Sequence, residues 1–201
     1  MKVLVVGATG AVGSAVAQAL AERGHEVLRA GRTRGDFQVD ITSDASVEAL
    51  YAAVGRVDAI VSAAGGLFFG PLADMRPADF NLGLQDKLLG QVRLALLGQH
   101  VLADGGSITL TTGIVAEEPI RQGANATAVN SAVEGFVRAA AIELPRGIRI
   151  NAVSPTVLTE SLPSYGPFFP GFEPVSAARA AQAYVRSVEG PQTGRVYRVW
   201  Q

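Results

Sequence analysis

Val3-Leu4-Val5-Val6-Gly7-Ala8-Thr9-Gly10-Ala11-Val12-Gly13 opens with an apolar, β-branched run, turns on glycines spaced Gly-x-x-Gly-x-x-Gly, and leads into a helical pattern. Each glycine has a separate physical task in a strand–turn–helix unit. Gly7 permits a positive φ at the turn, Gly10 lets a pyrophosphate approach the backbone at the helix start, and Gly13 lets the helix pack closely on the strand. The N–H groups around Thr9, Ala11 and Val12 then face the phosphates at the positive end of the helix. The stretch is read as a dinucleotide site rather than a packing turn, because strand, turn and helix are all in place.

Outward from this unit, strand-like runs are expected at Lys2–Val6, Glu26–Ala30, Phe37–Val39, Asp58–Ser62, Ser107–Thr111, Arg149–Val153 and Arg195–Val199. Helical patterns lie between them at Val12–Arg23, Ala45–Val54, from Pro77 through Leu82–Val101, at Ala126–Glu143 and at Ala177–Val188. The strands are near-continuous apolar runs, which marks burial on both faces. This predicts a three-layer α/β fold, a doubly wound parallel sheet of the Rossmann type with about seven strands, as a single domain over residues 1–201. The segment 163–174, Pro-rich and aromatic, reads as an irregular loop within a substrate loop of about 156–175. It either closes over something apolar or is pinned to the surface by its phenylalanines.

Composition narrows the function. Seventeen Lys+Arg against eighteen Asp+Glu give a formal net charge of −1, so nothing draws the chain toward nucleic acid. With no cysteine there is no disulfide or thiolate, which fits a cytoplasmic location. His25 and His100 have no spacing with acidic residues that suggests a metal or a hydrolase triad. The charge-free run from Val3 to Ala21 is split by its glycines and the run Ala59 to Ala73 is too short, so no membrane segment is expected.

Cofactor choice is read at the end of the second strand, Leu28-Arg29-Ala30-Gly31-Arg32-Thr33-Arg34. An acidic residue there would hold the ribose hydroxyls of NAD. Instead Arg32, helped by Thr33 or Arg34, can pair with a 2′-phosphate, which favours NADP(H), unless Arg32 is a solvated surface arginine. At the end of the third strand, Val39-Asp40-Ile41 places Asp40 either near the adenine amino group or in a capping turn.

Several motifs together resemble the short-chain dehydrogenase/reductase family over nearly the whole chain. Beside the glycine turn, Ser62-Ala63-Ala64-Gly65 looks like the family's Asn-Ala-Gly turn. Gly135 to Leu144, and Ile148 to Pro155, closely match its sixth helix and strand. The resemblance implies a nicotinamide cofactor, contacts from Ala63, Ala64, Gly65, Pro155, Val157 and Thr159, and a homo-oligomer built through helices 82–101 and 126–143. It also implies a reduced substrate lid, because 201 residues is short for the family. The apolar residues Leu84, Leu88, Val92, Ala95 and Leu96 of the first helix, with Val129, Val133, Phe136, Val137 and Ala140 of the second, exceed what one sheet face covers.

The catalytic positions depart from the family. Ungapped alignment places its Tyr-x-x-x-Lys pair on Ala126 and Asn130, its orienting Ser on Gly113 beside Thr112, and its helix Asn near Lys87. Ala126 has no proton to give, and Asn130 can only hydrogen-bond a ribose hydroxyl. Lys87 is the candidate proton donor, with Thr112 orienting a carbonyl, unless Lys87 is ion-paired with Asp86 or solvated. Tyr165, Glu117, Glu118 and Arg121 are weaker candidates with ordinary surface roles. Two functions remain: hydride transfer to a carbonyl or related small-molecule acceptor with a non-Tyr proton source, or a non-catalytic NADP(H)-binding sensor or interaction protein.

Overall fold

A computed structural model describes residues 1–201. It contains one seven-stranded, all-parallel sheet in the order β3-β2-β1-β4-β5-β6-β7. The strands are β1 (Lys2–Val6), β2 (Glu26–Gly31), β3 (Phe37–Gln38), β4 (Val57–Ser62), β5 (Leu102–Thr111), β6 (Arg149–Pro155) and β7 (Val196–Val199). The long helices are α1 (Ala11–Glu22), α2 (Asp44–Val54), α3 (Pro77–Gly83), α4 (Gly90–Gly98), α5 (Ala124–Glu143) and, beyond the short α6 (Leu162–Tyr165), α7 (Ala177–Glu189). A π-helical segment, Leu84–Leu89, joins α3 to α4. The region from Pro77 to Gly98 is thus helical throughout, as the sequence pattern predicts, with its middle turns widened.

Strand alternation sends the side chains of β1 to opposite faces, and both faces are apolar. Leu4 and Val6 join a core with Val47 and Leu50 of α2, Leu94 of α4, and Val133 and Val137 of α5. Val3 and Val5 join a second core with Val16 and Leu20 of α1 and Tyr184 of α7. Burying each of these aliphatic side chains contributes roughly 1.5–3 kcal/mol, which explains the unbroken apolar runs. Tyr184 is fully buried, and its hydroxyl meets Thr111 Oγ1 at 2.7 Å. Sidechain caps fix two helix starts: Ser43 accepts from the Ser46 N–H and Ser176 from the Arg179 N–H.

Three local expectations are corrected. Strand β5 begins at Leu102 rather than Ser107, because Ala103 to Gly106 bulges between the pairs Val57↔Leu102 and Ala59↔Ser107. Its Asp-Gly-Gly chemistry reads as a turn but is contained within a strand. The loop 156–175 carries Leu158↔Val175 bridging and three short helical turns at Thr159–Ser161, Leu162–Tyr165 and Gly166–Phe168. Prolines sit in the first positions of two of them, where a missing N–H costs no hydrogen bond. Four of the residues assigned to an intermolecular face, Ala95, Val129, Val133 and Val137, lie in the core instead. The exposed apolar side chains of these helices are Leu82, Leu89, Leu96 and Ile142. No helix is long and apolar enough to cross a membrane.

Candidate cofactor and active site

From β1 the chain winds outward to β2 and β3, then returns to place β4 on the other side of β1, leaving a crevice at the carboxyl ends of the two strands. A cavity of about 300 Å³ fills this crevice. Gly7, Thr9 and Gly10 form one wall, Gly31 and Arg32 another, Val39 and Ile41 a third, and Ala63, Ala64, Gly65, Gly66 and Asp86 the last. The expected residues Gly7, Thr9, Gly10, Arg32, Ile41, Ala63, Ala64 and Gly65 are therefore brought together. Ala11, Val12 and Gly13 follow in α1.

The glycines divide as their tasks require. Gly7 has φ +83°, and a Cβ there would stand 2.6 Å from the Ala63 carbonyl oxygen. A Cβ on Gly13 would stand 2.1 Å from the Gly7 oxygen, so both positions are closed by backbone. At Gly10 the nearest atom to such a Cβ is 3.5 Å away, which leaves the helix start open to the crevice. No side chain caps α1, and the N–H groups of Ala11, Val12 and Gly13 find no acceptor in the protein. Free N–H groups beside an open glycine suit an anionic diphosphate.

Arg32 reaches two acids: its Nη2 lies 3.6 Å from Asp86 Oδ1 and 3.9 Å from Asp40 Oδ1. Asp40 takes the turn role, with its Oδ1 accepting from the N–H and hydroxyl of Thr42, and these bonds hold its carboxyl below the usual range. Val39 and Ile41, on either side of it, line the cavity. Thr33 is exposed, and its carbonyl accepts from Gln38.

Farther in, the π-helical segment carries Lys87 against Gly65, where a Cβ would stand 2.6 Å from the lysine Cα. Such widened turns recur at functional sites. Lys87 is buried and unpaired with Asp86; its Nζ donates to the Thr112 carbonyl at 3.4 Å. Burial lowers its pKa from 10.5 to about 8. The Thr112 hydroxyl lies 3.1 Å from both the Asn130 carbonyl oxygen and Glu134 Oε1, which share its one proton. Burial raises the Glu134 pKa, and the Thr112 bond opposes the rise. Asn130 donates to the Ala126 carbonyl at 2.8 Å, while its Oδ1 is buried without a partner, as is the Thr156 hydroxyl. Gly113 faces Asn130 and the Pro155 carbonyl, each about 3.8 Å from where its Cβ would be. Pro155 and Val157 are buried, and Thr159 is exposed.

Gln91 closes the top of β5. Its side-chain amide donates to the Thr111 carbonyl and accepts the Thr111 N–H, both at 2.8 Å. Above Ala126, Ile114 and Val115 lies an apolar cover that includes Leu67, Phe69, Phe169, Phe172 and Trp200. Tyr165 packs edge-on against Phe69, 5.5 Å between ring centres, and Glu117 pairs with Arg198 at 2.7 Å. His25 contacts Glu189 at 2.9 Å and does not line the crevice.

A family model described as enoyl-(acyl carrier protein) reductase matches residues 7–193. D-threitol dehydrogenase of Mycolicibacterium smegmatis is 30% identical over 183 residues, covering 79% of this chain and 70% of that enzyme. The chain belongs to the short-chain dehydrogenase/reductase family. Human L-xylulose reductase, another relative, is 25% identical over 178 residues, covering 80% of this chain and 73% of its own. Among solved structures, protein lin1944 of Listeria innocua is 52% identical with a TM-score of 0.97 and full coverage of both chains. A small-chain dehydrogenase solved in complex with NADPH is 27% identical with a TM-score of 0.89, over 99% of this chain and 96% of its own.

Within this short-chain dehydrogenase/reductase, sequence reasoning did not identify Asp86 or Glu134. An acid next to a lysine reads as a surface pair, and an acid on an amphipathic helix reads as a solvated face. Only the widened turn at Leu84–Leu89 and the packing of α5 against Thr112 bring them inward.

Proposed function

We propose that this chain is an NADP(H)-dependent oxidoreductase of atypical short-chain type, acting on a carbonyl or related small-molecule acceptor. The observation that carries this reading is Lys87, a buried lysine whose stem packs on Gly65 in the wall of the crevice and whose Nζ reaches the Thr112 carbonyl. The N–H groups of Thr9, Ala11, Val12 and Gly13 would receive the diphosphate and Arg32 the 2′-phosphate. When bound, the nicotinamide supplies the hydride for the acceptor carbon. Lys87 Nζ supplies the proton to the acceptor oxygen, and the Thr112 backbone holds Nζ in place. The chain contains no Tyr-x-x-x-Lys, so that proton cannot come from the family's tyrosine. Loss of NADPH absorbance with a panel of carbonyl compounds tests the activity.

A second reading, a non-catalytic NADP(H) sensor, is favoured by the apolar cover over Ala126, which leaves little polar surface to receive a substrate oxygen. NADPH binding without turnover of any compound in the panel would establish it.

Arg32 sets the expected cofactor preference. A charge-assisted pair contributes about 1.5–3 kcal/mol, and the 63% exposure of this side chain argues for the lower end. Wild type should bind NADPH roughly tenfold more tightly than NADH, and Arg32→Ala should lose most of that difference in calorimetric titration. Equal affinities in wild type would refute the preference.

A homo-oligomer through α4 and α5 is also proposed. Leu96, 51% exposed, lines an apolar groove with Phe136, Ala140 and Leu144, and Ile142, on the same helix α5 as Phe136 and Ala140, is 87% exposed. Light scattering should give at least twice the 20.8 kDa chain mass. The double variant Leu96→Glu with Ile142→Glu should fall to a single chain, and a monomeric wild type would dismiss the assembly.

A further inference from the structure

Asp86 stands in the crevice with both carboxylate oxygens engaged. Its Oδ2 accepts the Gly66 N–H at 3.1 Å, and its Oδ1 lies 3.6 Å from Arg32 Nη2. Asp40 approaches the same guanidinium at 3.9 Å. One cation therefore faces two carboxylates, and this corner of the cavity carries a net formal charge of −1. Asp86 is the more enclosed acid: its side chain is 27% exposed, against 52% for Asp40. It also lines the cavity, which Asp40 does not. The Gly66 N–H gives the Asp86 carboxylate a backbone hydrogen bond, and its side chain is 27% exposed against 63% for the arginine it faces, so the carboxylate is held more firmly than that arginine.

A phosphate ester on the ribose 2′ position brings about −1.5 to −2 charges at neutral pH. It must separate Arg32 from its acids or lie beside a carboxylate. A free 2′-hydroxyl meets no such obstacle, because it can donate to either acid. We propose that Asp86 is a specificity-determining residue, which opposes Arg32 and limits the preference of the crevice for the 2′-phosphorylated dinucleotide. This inference rests on the reading of the crevice as a nicotinamide dinucleotide site.

The test is calorimetric titration of NADPH and NADH into wild type, Asp86→Asn and Asp40→Asn. Asparagine keeps an acceptor for Gly66 and removes the charge. One unit charge a few ångströms from a phosphate in a partly solvated crevice corresponds to about tenfold in affinity. The NADPH-to-NADH affinity ratio of Asp86→Asn should therefore rise by about tenfold, and that of Asp40→Asn by less than threefold. Asp86→Ser, which keeps a short acceptor, provides the same comparison if the asparagine variant does not fold. Dinucleotide binding with an unchanged ratio in the Asp86 variants overturns the assignment and leaves the cofactor reading standing. An equal rise in Asp40→Asn also overturns it, since general charge removal would then suffice. Absence of any dinucleotide binding in all three proteins overturns the cofactor reading and this inference together.

Discussion

Lys87→Met should lower turnover by roughly 10²-fold or more on any acceptor that the wild type reduces, the range expected for loss of a general acid. Methionine keeps the stem packed against Gly65 and removes only the proton, so NADPH affinity should stay nearly unchanged. In the wild type, the lysine is protonated below its pKa of about 8, and the rate of reduction should fall as pH rises through that value. Stability gives an independent signature. The ordinary value of 10.5 applies to the unfolded chain, so between about 8 and 10.5 the unfolded state binds more protons and stability should rise with pH. At neutral pH, where the buried ammonium is a liability, Lys87→Met should be no less stable than wild type, and it should lack this rise; as pH approaches the ordinary tyrosine value of 10.0, the hydroxyls of Tyr51 and Tyr184, which burial keeps protonated, should make its stability fall. Full turnover in the variant would move the acid elsewhere. A loss of NADPH affinity would make Lys87 a cofactor ligand instead.

Gly13→Ala should be the most disruptive single methyl in the chain. Its Cβ would lie 2.1 Å from the Gly7 oxygen, 2.6 Å from the Gly7 carbon and 2.9 Å from the Ala8 Cα, all of them backbone. No side chain can yield, so α1 must separate from the turn after β1. Overpacking of this kind costs about 1–3 kcal/mol, occasionally more; a loss of about 3 kcal/mol in urea unfolding is expected, together with loss of dinucleotide binding. Gly10→Ala is the contrasting case. Its Cβ meets only one atom, at 3.5 Å, and should leave stability within about 0.5 kcal/mol. It should nevertheless weaken NADPH binding by tenfold or more, since the methyl would enter the space proposed for the diphosphate at the helix start. If Gly13→Ala folds and binds as wild type does, or Gly10→Ala binds with full affinity, the assignment of the glycine turn fails.

Much of this architecture is legible along the chain because the sheet is buried on both faces. Each strand must then be apolar throughout, and each glycine of the turn has one steric task, so strand, turn and helix announce themselves locally. The crevice residues of the glycine turn and of Ala63-Ala64-Gly65 follow from the same local logic. What was hidden depends on distant partners. The bulge at Ala103 to Gly106 exists because β4 continues past it. Val133 and Val137 resemble an unpaired apolar face until β5 and β6 are placed beneath them. Glu134 becomes a buried partner of Thr112 only after α5 has docked. Arg32 reads as a free cation in sequence and is flanked by two acids in the structure.

The π-helical segment Leu84–Leu89 places two consecutive residues in different parts of the crevice: Asp86 faces Arg32 and Gly66, and Lys87 reaches Thr112. The roles proposed above for Asp86 in the choice of cofactor and for Lys87 in supplying the proton would therefore share one turn of backbone. Selection acting on either trait must pass through the same few codons, and a one-residue deletion that restored regular helix would disturb both at once. Variants evolved toward a new cofactor in this scaffold should accumulate changes at Arg32 and Thr33 more readily than within this turn, where each gain in recognition risks the acid next to it.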